Sequence, residues 1–499
     1  MQIKTIILNS TTGFEEASVK VLFINPSKWG RGITPIWIAS HTGLLKENGV
    51  NVTLFDATFF KDWAENELSF NTANGQYKKS NYEKLVTFQT KRVLEALQEK
   101  IDDFEPDIIF WSALSSHIHG EGEYVNIEYG YELVSNIKTK ALFVTAGLQA
   151  TASADTIFKQ FPLLNFIIQG YSEFPLLNIC KSLSLNKPIQ MVEGVVERGS
   201  TNSGKKPQHP NIQELPQYDY SLFEDQVFYR PYQGKVVRAV DYEFSRGCIY
   251  SCHYCVETVI QRFYDFNEVN RTGSIKNSNQ YVRTKTASRI YEELKYLASV
   301  HKIDFVRAQD TNFLTVDRSV LRELSDLLDN RSLNLEIYIE TRPEGINSAS
   351  IELLKKLNVV GVGMGIELAS EAFRESSLGR FSSTTKIINA FQLLKEAGIR
   401  RTAYNIIGLP NQDEDSIIET IKFNALIQPD DITVAFYSPY IGTTQSETAT
   451  ELKMFDKYET KVDGQMRSLT KDSTLDLETL EYYKANFVKL CKSANIEDN

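Results

Sequence analysis

The chain has 499 residues, of which 42% are hydrophobic and 24% charged, and its formal net charge is −10. That length predicts two or three domains rather than one, and the composition is that of a soluble globular protein. The acidic balance, with no long block of like charge, argues against a polyanion and so against a nucleic acid partner. The N-terminus lacks the apolar run of a signal peptide and no stretch of about 18 apolar residues occurs, which predicts a cytoplasmic protein without a membrane span.

From Val21 the chain reads VLFINP, a Gly-containing loop, ITPIWIASHTGLLKENG and VNVTLFDAT. An apolar run, a helix-period segment ended by glycine and a second β-rich run make a β-α-β unit. PDIIFWSALS, a helix predicted over Tyr129–Lys138, ALFVTAGLQA and FIIQG continue the alternation. The first half is therefore expected to be an α/β doubly wound parallel sheet. Ligands bind such sheets beyond the strand C-termini. The candidate loops are Asn25–Ile33, Ser112–Gly122, Gly147–Ala152 and Gly170–Glu173. His117 and His119, in SSHIHGEG, read as polar loop residues and are not assigned as ligands.

The stretch VERGSTNSGKKPQHPNIQELPQYDYSLF is rich in Pro, Gly, Ser and Asn. It reads as a linker and crossing strap rather than a packed element. Beyond it, SRGCIYSCHYC places Cys248, Cys252 and Cys255 within eight residues at C-x3-C-x2-C spacing. Three thiols so close cannot all pair locally without strain, and they suit one soft metal centre. A zinc knuckle would want a fourth Cys or a His at matching spacing, and His253 lies where a short loop would struggle to turn it inward. An iron–sulfur cluster needs only such a run of thiolates. Cys180 and Cys491 are the remaining cysteines, too few for a second cluster, and no disulfide framework is expected.

After Cys255, helix-like and strand-like segments repeat: IDFVRAQDTNFL, LNLEIYIETRP, VVGVGMGIEL, RRTAYNIIGLP and DITVAFYSPYIGT each follow a helical stretch. Repeated β-α units predict a parallel barrel or part of one, with chemistry at the strand C-termini. ETLEYYKANFVKLCKSA near the end reads as an amphipathic helix packing over the barrel mouth or side.

The cysteine spacing, with Tyr254 just before the last cysteine, resembles the radical S-adenosylmethionine (SAM) enzymes. The order of the pieces ahead of it is similar to the cobalamin-binding domain of the class B members of that family. AGLQATASAD matches a Gly followed by small residues at a helix start, GYSEFPLL matches a Gly-x-x-Glu, and Leu215–Tyr220 matches a Leu-Pro-x-x-Asp-Tyr segment. The Asp-x-His-x-x-Gly signature of the cobalamin mutases is absent. The resemblance spans about residues 20–445 and implies a cobalamin-binding-like domain over 1–195, a strap over 196–235, a radical SAM partial TIM barrel over 236–447 and a helical extension over 448–499. It implies that Cys248, Cys252 and Cys255 hold three irons of a [4Fe–4S] cluster whose fourth iron takes SAM. Tyr254, Asp310, Glu367, Arg380, Asn405 and Gly408 fall on SAM-pocket positions. For Asp310 an N-cap or Asx turn is the alternative use. Ser115, Gly147, Leu148, Gln149, Ala150, Gly170 and Glu173 fall on the cobalamin side. Pro439–Thr443 matches the family's Pro-Tyr-x-Gly-Thr barrel ending.

The implied reaction is transfer of a methyl group from methylcobalamin to an unactivated carbon of a small-molecule or peptide substrate. It would be initiated by a 5′-deoxyadenosyl radical, with a flavodoxin or ferredoxin as electron donor. Oxidative ring closure, as in the bacteriochlorophyll cyclase branch, or a ring contraction would use the same cofactors without gaining carbon. Methylthiolation is disfavoured, because that family holds a second cluster with three N-terminal cysteines and this N-terminal region has only Cys180. A corrinoid- or redox-binding module without turnover is the remaining class.

Overall fold

The computed structural model describes residues 18–64, 78–115, 123–200, 205–330, 333–452, 454 and 475–497. His117 and His119 lie outside the described residues. The first sheet contains β1 (Lys20–Asn25), β2 (Asn51–Asp56), β3 (Ile108–Trp111), β4 (Leu142–Thr145), β5 (Phe166–Ile168) and β6 (Val195–Glu197), in the order β2-β1-β3-β4-β5-β6. Side chains alternate across it with the two-residue strand period. Val21 and Phe23 of β1 pack with helices Ile36–Glu47 and Glu173–Ser184, while Leu22 and Ile24 pack with helices Val93–Phe104 and Ala154–Gln160. Helices on both faces explain why β3, IIFW, is buried at every position.

The first five strands are parallel, but β6 runs antiparallel to β5. The sheet therefore ends in a reversed edge strand that the expectation of a wholly parallel sheet did not include. The helix predicted at Tyr129–Lys138 lies at Glu123–Val134. Asn136 ends it early, folding its side-chain amide back onto the Glu132 carbonyl at 2.8 Å.

The strap is a packed element, contrary to its composition. Ile212, Leu215, Tyr218, Tyr220 and Phe223 are buried in the main core. Helix Ile36–Glu47 admits it at Gly43, where a Cβ would stand 2.3 Å from the Gln217 carbonyl oxygen. The Pro- and Asn-rich spacing conceals an apolar residue every few positions, and these tie the two halves together.

The second sheet comprises β7 (Tyr229–Tyr232), β8 (Lys235–Tyr242), β11 (Phe305–Ala308), β12 (Glu336–Thr341), β13 (Val359–Glu367), β14 (Arg400–Ile407) and β15 (Asp431–Phe436). A separate short pair, β9 (Ser245–Arg246) with β10 (Arg283–Thr284), lies between β8 and β11 in the chain. From β8 to β15 every pairing in the large sheet is parallel, and β7 is an antiparallel edge strand. This is an α/β curled half-barrel, with helices between successive strands. Helix Leu477–Glu497 covers the β15 edge from the side rather than the mouth. Its Leu480, Tyr483, Phe487 and Cys491 pack on Ile417 and Ile421 of helix Glu414–Ile427 and on Val434 and Phe436 of β15.

Candidate active site

The cysteine loop leaves β8 at the C-terminal edge of the half-barrel, and Asp310 fastens its start. One oxygen of that carboxylate accepts from the Phe244 N–H at 3.0 Å. The other accepts from the Ser245 N–H and hydroxyl, each at 2.6 Å. Asp310 therefore braces the loop and does not present a carboxylate to a pocket. Burial raises its pKa to about 7, against the lowering effect of the Ser245 hydroxyl.

Cys248, Cys252 and Cys255 are all buried and unpaired in disulfides. Burial pushes the Cys248 thiol up to about 12 and raises that of Cys255 as well. Three thiolates are held in such a place only by a group that brings positive charge to them. Among the described residues no three His, Cys, Asp or Glu side chains converge to hold a single metal ion, so the triplet does not form a zinc-sized cage. Three buried thiols on one loop are the donor set that an iron–sulfur cluster takes. His253 is turned outward, with Nδ1 at 3.0 Å from the Ser377 carbonyl oxygen, as its position between two cysteines predicts.

Beside the thiols lies a compact set of opposite charges. Arg380 Nη1 donates to Glu367 Oε1 at 2.9 Å and to the Tyr254 hydroxyl at 3.0 Å, while that hydroxyl donates to Glu367 Oε1 at 2.8 Å. Arg380 Nη2 also donates to the Gly365 carbonyl. Glu367 sits at φ 66, at an irregular register between β13 and β14. Such left-handed backbone in a non-glycine residue stores strain of the sort found at functional positions. Gly365 makes room for it, because a Cβ there would stand 2.2 Å from Glu367 Oε1. Adjoining carboxylate and guanidinium groups are complementary to the ammonium and carboxylate of an amino acid, so Tyr254, Glu367 and Arg380 fit the amino-acid end of SAM.

Two further expected positions are occupied by protein. Asn405 exchanges amide bonds with Asn424 at 3.2 and 2.7 Å, locking β14 to helix Glu414–Ile427. The Gly408 N–H is taken by Gln412 Oε1 at 2.7 Å, and Leu480 approaches its Cα side. Both shape the barrel rather than offer polar side chains to a ligand.

The sequence reading missed Arg342 and Glu344, which follow β12. Arg342 Nη1 lies 3.4 Å from Cys252 Sγ, and Nη2 lies 2.6 Å from Glu344 Oε1. Burial opposes ionisation of Glu344, but Arg342 and then Arg380 overcome it and hold the carboxyl at about 2. The strand-end rule applied to ETRPE would have found them.

On the first sheet, the candidates divide by strand. Leu148 packs with Val256, Val259 and Ile260, so helix Leu148–Ala152 lies on helix Glu257–Phe263 just after the cysteines. Ala150 is buried in the first sheet's own core and Gln149 is half-buried beside it. A Cβ at Gly170 would meet the Tyr264 hydroxyl oxygen at 2.3 Å, and that hydroxyl accepts from the Tyr171 N–H at 2.9 Å. Glu173 Oε1 pairs with Arg246 Nη2 at 2.7 Å, and Arg246 pairs with Glu243 at the same distance. Gly170 and Glu173 thus join the domains and do not fit a corrinoid contact. The ends of β3 and β4 lie by the switch point between β1 and β3, where open sheets of this kind take ligands. Ser112 has φ 63, and Gly147 has φ 113 with a Cβ position 3.0 Å from Ser112 Oγ. Glycine at that position lets the turn after β4 pass close to Ser112, and Ser115 beyond β3 is buried.

Residues 242–423 match the radical SAM superfamily. The chain is 22% identical over 456 residues to an anaerobic magnesium-protoporphyrin IX monomethyl ester cyclase of Rubrivivax gelatinosus, covering 88% of this chain and 71% of that one. It is 23% identical over 393 residues to a hopanoid C-3 methylase of Methylococcus capsulatus, covering 75% and 67%. Among solved structures it is similar in fold to the radical SAM methyltransferase TsrM of Kitasatospora setae, solved with cobalamin and a [4Fe–4S] cluster. The TM-score is 0.63 and the identity 16%, over 88% of this chain and 79% of that one. No helix among the described residues is long and apolar enough to cross a membrane.

Proposed function

With residues 242–423 placing this chain among the radical SAM enzymes, we propose that it is a cobalamin-dependent C-methyltransferase acting on an unactivated carbon of a small molecule or peptide. The observation that carries the reading is the meeting of the two strand-end faces. The loops after β4 and β5 lie against helix Glu257–Phe263 and Arg246, which flank the three cysteines. A corrinoid cradled at Ser112 and Gly147 would share one interdomain space with the cysteine loop.

When bound, the cluster, SAM and cobalamin supply the electron, the radical and the methyl carrier. The chain's own residues do the rest. Cys248, Cys252 and Cys255 bind three irons, and Asp310 holds the loop that presents them. Glu367 and Arg380 orient the amino-acid end of SAM, with Tyr254 fixing both. The apolar packing of Leu148 on Val259 and Ile260 excludes water between the domains, which strengthens every charge interaction inside. A flavodoxin- or ferredoxin-type protein is the expected reductant.

A relative matched over 88% of this chain is a cyclase, and this favours a second reading: an oxidative ring closure with the same cofactors. Product mass separates the two. The test is anaerobic turnover with SAM labelled in its methyl group, followed by mass spectrometry of candidate substrates. Gain of one labelled carbon supports methyl transfer; a product that has lost hydrogen and gained no carbon replaces it with cyclisation.

A further inference from the structure

Arg342 directly follows β12 and is buried against the cysteine loop. Its guanidinium is held on three sides. Nη1 donates to Cys252 Sγ at 3.4 Å, and its carbon lies 3.7 Å from the centroid of the Tyr250 ring. On the third side Nη2 and Nε donate to Glu344, at 2.6 and 3.3 Å. A planar fork of donors fixed in this way cannot swing off the sulfur, which a flexible ammonium would do. Tyr250, which stacks on it, also directs its own N–H at Cys248 Sγ, at 3.5 Å. Two of the three thiols thus have an N–H donor aimed at them, one of which carries a full charge.

Hydrogen bonds to the sulfurs and nearby charge are what set the potential of an iron–sulfur cluster. Reduction adds negative charge that spreads onto the thiolates, so a cation and an N–H···S bond stabilise the reduced form more than the oxidised one. Resting on the cluster at Cys248, Cys252 and Cys255, we propose that Arg342 is a positioning residue that raises the reduction potential of that cluster through Cys252, with Glu344 as its counterweight. The opposed charges make the pair adjustable. Arg342 pulls the potential up, and the Glu344 carboxylate holds part of that pull back.

A guanidinium at a barrel strand end has another conceivable use, as a clamp for the carboxylate of SAM. The two roles separate cleanly, because a clamp acts only when SAM is bound.

The test uses the full chain, reconstituted with iron and sulfide without oxygen and with SAM left out. The cluster is titrated at a poised electrode and the reduced form read by electron paramagnetic resonance; one electron enters per cluster and no bond is made or broken. Arg342→Met removes both the charge and the donor. Its reduced-to-oxidised ratio at a fixed poise should fall at least tenfold, a midpoint lower by about 59 mV. Arg342→Lys keeps the charge and should fall less. Glu344→Gln should move the midpoint in the opposite direction, upward, which damage to packing would not do. If Arg342→Met does not take up iron, the Lys and Glu344→Gln variants decide the matter by the signs of their shifts. Unchanged midpoints at full iron content, with only SAM affinity lost, overturn the proposal in favour of the clamp. A parent protein that takes up no iron overturns the cluster reading, and this inference with it.

Discussion

The two sheets obey the same rule and use it differently. Each presents the C-terminal ends of parallel strands to the other, yet the half-barrel's ends carry buried thiols and a set of opposed charges, while the first sheet's ends carry glycines and small residues. Where the first sheet does bring a charge, at Glu173, the barrel's Arg246 neutralises it at 2.7 Å. Strand ends therefore become a site only where the facing domain leaves them uncovered. β4 and β5 differ within a single sheet: Gly147 faces Ser112 of its own domain, whereas Gly170 is closed by Tyr264 from the other half of the chain.

The largest break in this contrast is Cys252→Ala. Iron content should fall from about four per chain to near none after reconstitution, while thermal unfolding changes little. Next is Glu367→Gln, which leaves Arg380 buried without its carboxylate. Losing one partner of a buried pair costs about 3 kcal/mol or more, so the urea midpoint should drop and SAM binding by calorimetry should weaken at least tenfold. Unaltered SAM binding would remove Glu367 from the site.

Gly170→Ala and Gly147→Ala sharpen the division within the first sheet. The first puts a methyl group against the Tyr264 hydroxyl at φ 76 and should destabilise the fold by about 2 kcal/mol, with SAM binding unchanged. The second should lose corrinoid uptake out of proportion to its loss of stability. Equal effects of the two on corrinoid uptake would contradict the assignment of β4 and β5 to different tasks.

The pH dependence of the apo-protein probes the half-barrel's side of the contrast. The folded Asp310 carboxyl titrates at about 7, against an ordinary 3.8, so the folded chain holds this proton more tightly than the unfolded one. Its contribution to stability is greatest below about pH 4 and is lost as pH rises through 7. Urea midpoints across that range should decline in the parent protein and decline less in Asp310→Asn.

The cysteine loop and the alternation of strands and helices were legible in the sequence, because spacing and periodicity carry them, and strand-end position brought Glu367 and Arg380 into view as neighbours. Asp310 and Asn405 were placed at the right strand ends, but the partners of their side chains were not legible. Sequence supplies the end of a strand and not the direction of its side chain, and here the Ser245 backbone and Asn424 claim them. Gly170 was read as room for a ligand, since a glycine records that something comes close and not what it is. The strap was read as loose because Pro, Gly, Ser and Asn recur along it, while Ile212, Leu215 and Tyr218 decide its packing. Arg342 lies just past the end of β12, where the pattern of the strand itself carries no sign of it.

The central claim is that two cofactors meet between these two faces. It is tested most directly by expressing the full chain with cobalamin supplied, purifying it without oxygen and counting corrinoid against iron. The account predicts about one corrinoid and about four irons per chain. Four irons with no corrinoid, even after reconstitution, would contradict it and leave a radical SAM enzyme whose first sheet serves another ligand.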